Sequence, residues 1–543
     1  MEPCGREFLP PPAPQRNYLS KDFLARSPTP LDALVSIAPI GVALNRESRR
    51  IRLVRGLLVL AVVTSAAAVP QVDPYAPQPF PSRHAGARRS ASTQATARQP
   101  IVFVVHPTRP PLDLSWKDAY GVVRGSVTGW RNLDGRRAPL KLVLGPAAAA
   151  RLVGLWFLLG DAPDGFHVAS TEAEAAELVA KDPAAIGIVS GEALSPAVRA
   201  AGLAGEDPLR EPGRWPLSVP AVDDPGAVTT AIAFGDVLTS RTVDRKMIAA
   251  GDFRSPWRSV GEILAAADLA FGNFEGTISR NAQPRSGGTS FVSRVQVIDG
   301  FRYAGIDFLS LANNHVGDFG AATLLETRAL IRDAGIATAG AGANDAEARE
   351  PAILERHGVR FAFVTFNAIV GPPVATDDSP GATWIHMAPW NPFRQSELDR
   401  VAETVRAARQ RADVVIVYPH WGQEYTARPN ADQKRVARAL IDAGADMIIA
   451  THPHWVQGAE IYRGRLIAYS LGNFVFDQTW STETQQGAAL DLVFWGPRLV
   501  GASFVPVRIE DAHRPRFIDA EAGADILQRI WGASGSPYAA GSR

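Results

Sequence analysis

The sequence predicts an α/β protein in which sheets are covered by helices, with a small α/β unit ahead of a larger one. Two observations carry that reading. From residue 230 onward, near-continuous Val/Ile/Leu/Phe runs of strand length alternate with helical patterns, as expected for strands buried on both faces. Between residues 101 and 222, shorter apolar runs alternate with helix-like segments in the same manner.

Length and composition set the outer bounds. The chain has 543 residues, enough for roughly two to four domains. Its 56 Lys plus Arg and 55 Asp plus Glu leave a net charge of +1, which argues against a nucleic-acid partner held by bulk charge. Hydrophobic residues at 46% and charged residues at 20% are those of a folded protein rather than a disordered one. The lone cysteine, Cys4, excludes an internal disulfide and a cysteine-based zinc cluster. Any metal site must therefore be built from His, Asp, Glu and Asn.

The N-terminal extension, residues 1–69, ends in a signal-like segment. Residues 56–69 (GLLVLAVVTSAAAV) are 14 uncharged, mostly apolar residues behind Arg46, Arg49, Arg50, Arg52 and Arg55. A basic flank, a short apolar core and an Ala-rich exit are the parts of a secretory signal, and the run is shorter than the roughly 20 residues that span a bilayer. The expectation is export to an extracytoplasmic or cell-surface location, with residues 56–69 as signal or membrane anchor. Residues 70–100, rich in Pro, Ala and Arg, read as an extended linker.

The unit at 101–222 begins with a short strand at 101–105 and a helix over 115–123 that Ser115 can cap. A strand at 140–144, a helix at 172–181 and a buried strand at 185–189 follow. Three phrases, YGVVRGSVTGWRNL, DPAAIGIVS and Trp215-Pro216-Leu217, resemble part of the phosphate-type periplasmic solute-binding proteins. The resemblance covers about 120 residues and lacks a Ser/Thr-rich phosphate loop, which points to a recognition or packing domain rather than a solute receptor.

The larger unit, residues 228–510, repeats one phrase: an apolar strand ended by a polar cluster. The strands at 230–234, 267–271, 308–312, 414–418 and 447–450 end in Gly235-Asp236, Gly272-Asn273-Phe274-Glu275, Asn313-Asn314-His315, Pro419-His420-Trp421-Gly422 and Thr451-His452-Pro453-His454. Helical patterns at 322–333, 397–411 and 431–443 separate them. Carboxyl ends of strands in such sheets line one edge, where ligands bind. Asp236, Glu275, Asn314, His315, His420, His452 and His454 are thereby expected at one place. Oxygen and imidazole donors suit one or two Mn, Zn or Fe ions, which can activate water and clamp a phosphoryl or acyl oxygen. Taken singly, each has a plainer reading: Asp236 as a helix cap, Asn313 and Asn314 as turn formers, His420 as a hydrogen-bonded loop residue. His452 and His454 weigh more, because an extended i, i+2 pair turns both rings to one side.

The phrases FGDVL, ADLAFGNFEG, LANNHVGDFG, YPHWGQEY, THPHWVQGAE and YSLGNFVFD, in this order over residues 228 to about 480, resemble the CapA family, linked to poly-γ-glutamate capsule synthesis and related in fold to calcineurin-like metallophosphoesterases. The resemblance implies a four-layer α-β-β-α sandwich. It implies Asp236, Glu275, Asn314, His420, His452 and His454 as metal ligands, with His315 as the acid that protonates a leaving group. Where related phosphoesterases usually carry a histidine two residues after the first Asp, this chain has Leu238, which implies a weakened second metal position.

Around this set, Asp318 is expected to orient His315 or to cap a helix, and Glu424 to act as an acid or base or to pair with Arg428. Asn473 reads as pocket floor or hairpin turn, and Trp421 and Trp455 as walls of a substrate groove or as buried packing. The implied partners are an anionic cell-envelope polymer or phosphoester substrate and a membrane synthesis complex, with no nucleic acid. Two functions compete: a metal-dependent hydrolase, and a non-catalytic scaffold of a polymer synthesis or export complex. Residues 511–543 read as a loose tail.

Overall fold

The structure is a computed structural model that describes residues 98–159, 165–221, 226–281 and 290–539. The signal-like segment 56–69 lies outside the described residues. Among the described residues no helix is long and apolar enough to cross a membrane.

Two sheets form the larger body. The first has eight strands in the order Ala337–Ala339, Phe308–Ser310, Leu269–Phe274, Val228–Val237, Gln486–Trp495, Arg498–Glu510 and Arg514–Phe517, with Asn473–Val475 pairing beside Val228–Val237. Its first four strands run parallel and the later ones are antiparallel. The second has six strands, Ala352–Arg356, Val359–Val364, Val414–Val417, Met447–Ile449, Arg465–Ala468 and Ala459–Tyr462. The period-two alternation of each strand divides its side chains between two apolar layers. Ala231, Phe271 and Phe308 of the first sheet meet Phe361, Phe363, Ile416 and Met447 of the second in one fully buried core. On the outer face of the first sheet, Phe234, Val237 and Leu309 pack on helices Arg241–Ala250, Val297–Tyr303 and Ala321–Asp333. On the outer face of the second, Val415, Val417 and Ile448 pack on Gln395–Arg411 and Ala431–Asp442 through Leu398, Val405, Val436 and Leu440. Helix, sheet, sheet, helix is the four-layer α/β sandwich that the sequence implies.

The helices start where side-chain chemistry lets them. Asn430 and Gln433 form a reciprocal capping box at the head of Ala431–Asp442, a device that contributes roughly 1 kcal/mol. Ser115 accepts from the Asp118 N–H at the head of Trp116–Val123.

Residues 98–220 form a separate six-stranded sheet, ordered His167–Val168, Lys141–Leu144, Ala185–Ser190, Arg98–Val105 and Arg199–Ala200, with Ser218–Pro220 also pairing Arg98–Val105. The tryptophans of its solute-binding-like phrases are packing residues: Trp130 and Trp215 are buried and donate to the backbone oxygens of Ala184 and Ile101. This sheet leans on the sandwich, with Val102, Val104 and Val189 sharing a core with Val493, Trp495 and Val500. Arg498 ties the seam by donating to the backbone oxygens of Gly191, Glu192 and Leu194.

Beyond Asp511 the structure corrects the expectation of a loose tail. Strand Arg514–Phe517 extends the first sheet, and helix Ala524–Gly532 buries Ile526, Ile530 and Trp531. Tyr538 stacks on Trp531 with centroids 5.3 Å apart and donates to Pro196 O. Ala, Gly and Pro dominate this stretch by number, yet four large apolar side chains suffice to anchor it.

Candidate metal centre

Asp236, Glu275 and the histidine pair arrive at one place because their strands are neighbours. Val228–Val237 and Leu269–Phe274 are parallel and in register at Asp236 and Asn273. Asn473 pairs with Asp236 on the other side. That approach needs Gly235, since a Cβ there would lie 1.9 Å from Gly472 O. The second sheet delivers His420 just beyond Val414–Val417 and the His452-Pro453-His454 turn just beyond Met447–Ile449.

Asp236, Glu275 and His454 place one ligand atom each within 4.8 Å of one another, all three buried. His420 joins them, with Nδ1 3.7 Å from Asp236 Oδ1 and Nε2 3.9 Å from Glu275 Oε1. His420 Nε2 is also 2.7 Å from Asn314 Oδ1 and 3.2 Å from His452 Nδ1. His315 Nε2 stands 3.8 Å from Glu275 Oε1, while its Nδ1 is 2.8 Å from Asp318 Oδ2. All seven strand-end residues expected together are brought together, and Asp318 lies in hydrogen-bond contact with His315. How His452 and His454 get there differs from the extended pair anticipated. They have φ of 97° and 57°, left-handed conformations that non-glycine residues rarely adopt. The His452 N–H donates to Asp236 Oδ2 at 3.1 Å, which holds the kink and aims both rings inward.

The electrostatics are those of carboxyls and imidazoles buried close together. Burial pushes the Asp236 carboxyl up to about 7, against hydrogen bonds from Asn273 and from the His452 backbone. Glu275 is raised well above the usual carboxylate range by burial and by the neighbouring Asp236 and Glu424 charges. Burial also drives His420 and His452 well below the ordinary imidazole value and His454 to about 3. Among the described residues, both carboxylate oxygens of Glu275 and Nε2 of His452 are buried without a hydrogen-bond partner. A buried polar atom left unpaired is costly and rare. Neutral imidazoles and carboxylates around such orphaned donors fit a divalent cation of Mn, Zn or Fe type.

Several residues hold this set. Asn273, overlooked as a site residue although it lies inside the GNFEG phrase, donates to Asp236 Oδ1 at 2.8 Å and lies 3.3 Å from His420 Nδ1. Asn313 donates in turn to Asn273 Oδ1 and to Phe274 O. Leu238 is buried against Phe291, Phe476 and Ile509, so the donor that related phosphoesterases place there is replaced by apolar packing.

The expected substrate-contacting residues fare unevenly. Trp421 is no groove wall: it is fully buried, stacks on Tyr469 and donates to Tyr469 O, because the apolar layer under Gln395–Arg411 and Ala431–Asp442 takes its ring. Asn473, expected as pocket floor or hairpin turn, pairs with Asp236. Buried at the start of its strand, it presents Oδ1 to His454 Nδ1 at 2.9 Å and donates to Gln478 and Thr484, so it positions a ligand. Trp455 is part-buried with its indole Nε1 enclosed. Glu424 is half-buried beside the cluster, raised by its own burial and opposed by the His315 charge, and among the described residues it makes no ion pair with Arg428. The exposed aromatics at the mouth are Trp390, Tyr425 and Trp480, none singled out in the sequence. Trp390 lies 6.5 Å from His452 and Tyr425 6.1 Å from both His454 and Trp480, centroid to centroid.

Residues 230–478 match the family described as bacterial capsule synthesis protein PGA_cap. The chain is 31% identical over 287 residues to the capsule biosynthesis protein CapA of Bacillus anthracis, a match that covers 52% of this chain and 68% of that one. It is 32% identical over 265 residues to the PGA biosynthesis protein CapA of Bacillus subtilis, covering 48% and 66%. Among solved structures, a hypothetical protein from Thermus thermophilus is 19% identical, covers 52% of this chain and all of its own, and superposes with a TM-score of 0.34. The chain belongs to the CapA family of bacterial capsule synthesis proteins.

Proposed function

We propose that this CapA-family chain is a metal-dependent hydrolase of the phosphoesterase kind, serving synthesis of an anionic capsule or cell-envelope polymer outside the cytoplasm. The observation that carries the reading is the pair of fully buried Glu275 oxygens, without a hydrogen-bond partner among the described residues, set beside Asp236, His315, His420 and His454. A structural role alone gives no reason to bury a carboxylate without a partner, since that costs free energy and adds no packing.

Asp236, Glu275, Asn314, His420, His452 and His454 would hold the cation or cations. When bound, a divalent cation supplies Lewis acidity, lowering the pKa of water and stabilising negative charge on a reacting oxygen. The chain's own residues do the rest. Asp318 accepts from His315 Nδ1 and so fixes the tautomer and the ring plane. His315 Nε2 is thereby the free nitrogen on the cluster side, placed to give or take a proton at a leaving oxygen or nitrogen. Phe291 stacks on the same ring at 3.7 Å, which excludes water from its other face. Glu424, raised by burial, is a second group able to carry a proton near that position.

Purified protein loaded with Mn or Zn and assayed on a generic phosphodiester tests the proposal. Turnover that disappears with a chelator and returns with metal supports it; a folded, metal-loaded protein with no turnover on phosphoester or amide probes overturns it and leaves the scaffold reading, which Leu238 favours by shortening the donor set.

A further inference from the structure

Arg241 is a cation held beside the candidate metal centre by Asp477 and by two aromatic rings. It is the first residue of helix Arg241–Ala250, directly after the strand that carries Asp236, and it has φ of 54°. Left-handed backbone at a non-glycine residue persists only where the surroundings enforce it, and such positions cluster at ligand sites. Here Asp477 enforces it, pairing with Arg241 Nη2 while its other oxygen accepts from the Thr242 N–H. The guanidinium lies over Phe291 at 4.5 Å and near Phe476 at 5.7 Å. Those two rings are the partners of His315 and His454, at 3.7 and 4.8 Å. One aromatic ring therefore separates Arg241 from each side of the cluster.

The side chain is 16% exposed, and among the described residues its Nε has no hydrogen-bond partner. Asp477 uses one nitrogen of a fork that recognises carboxylate or phosphate in bidentate fashion. We propose that Arg241 is a specificity-determining residue that binds an acidic group, carboxylate or phosphate, adjacent to the scissile bond of a polyanionic substrate. This deepens the hydrolase reading and rests on it for the word substrate, but the binding itself does not require turnover.

Calorimetry on the full chain loaded with Mn tests it, using tri-γ-glutamate, tripolyphosphate and the neutral control tri-γ-glutamine with wild type, Arg241→Gln and Arg241→Lys. The expected result is that Arg241→Gln weakens an acidic oligomer at least tenfold more than the neutral one, with Arg241→Lys between. The oligomer that suffers the selective loss names the source, carboxylate or phosphate. Arg241→Lys keeps a charge next to Asp477 and serves alone if the glutamine variant does not fold, with a several-fold selective loss expected. Equal losses on acidic and neutral oligomers, no loss on either acidic one, or wild type that binds none of the three overturns the proposal. Arg241-dependent binding without hydrolysis of any probe would sink the hydrolase reading and leave this one standing.

Discussion

Oδ2 of Asp318 is shared between two partners, His315 Nδ1 at 2.8 Å and the Phe291 N–H at 2.6 Å. One carboxylate oxygen thus sets both the orientation of the imidazole and the ring that stacks on it. Since a carboxylate only accepts, His315 carries its neutral-state proton on Nδ1 and turns Nε2 toward Glu275.

Removing that imidazole separates chemistry from metal binding. His315→Ala is expected to lower kcat roughly 10²- to 10⁴-fold, the usual contribution of a proton-transfer group, with metal content unchanged by elemental analysis. Asp318→Asn should give a smaller loss, because the amide can still lie beside the ring but no longer enforces the tautomer. Equal activity of His315→Ala and wild type contradicts the assignment.

Cation uptake should release protons. Metal-free Asp236 titrates near 7 because of its burial, so below that pH a proton must be displaced before the carboxylate can ligate. Apparent affinity for Mn or Zn is expected to rise as pH is raised through about 7. Titration calorimetry in buffers of different ionisation enthalpy reads the protons released; a pH-independent affinity contradicts it.

Glu275 makes the opposite prediction for stability without metal. Its pKa is raised in the folded state, so its contribution is fully present below the unfolded value and is lost as pH rises through the folded one. Gln cannot ionise, and the histidines contribute equally to both proteins. Metal-free Glu275→Gln should therefore match wild type near pH 4 and become the more stable of the two as pH rises. With metal the order should reverse. Urea unfolding with and without chelator measures both.

Tryptophans near the site separate packing from recognition. Trp421→Ala should destabilise by roughly 3–5 kcal/mol, as for other buried aromatics. Trp480→Ala, 62% exposed, should change stability by less than about 0.5 kcal/mol and act on KM. The reverse ranking in thermal unfolding would show that the rim, not the core, holds the fold.

Much of the fold was legible because buried parallel strands are written in continuous apolar runs, and the polar clusters that end them stand out against that background. Asp236, Glu275 and the histidines could be gathered on that basis alone. The left-handed kinks at His452 and His454 were not, since they follow from a backbone hydrogen bond to Asp236, 216 positions away. Trp421 reads in sequence as groove wall or as buried packing, and only the apolar layer beneath its neighbour His420 decides for packing. Asn473 and Asn273 look like turn residues in sequence; only strand pairing with Asp236 makes them supports of the centre. Arg241 carried no sequence signal because it matters through its left-handed backbone, and Tyr425 none because only the fold sets its exposed ring near His454.

The centre itself is tested most directly by anomalous diffraction from crystals soaked in Mn, compared with His454→Ala. The account predicts a strong peak among Asp236, Glu275 and His454 in the wild type and its loss in the variant. Mn bound elsewhere, or no peak at that position in crystals that diffract well and were soaked near pH 8, would contradict it.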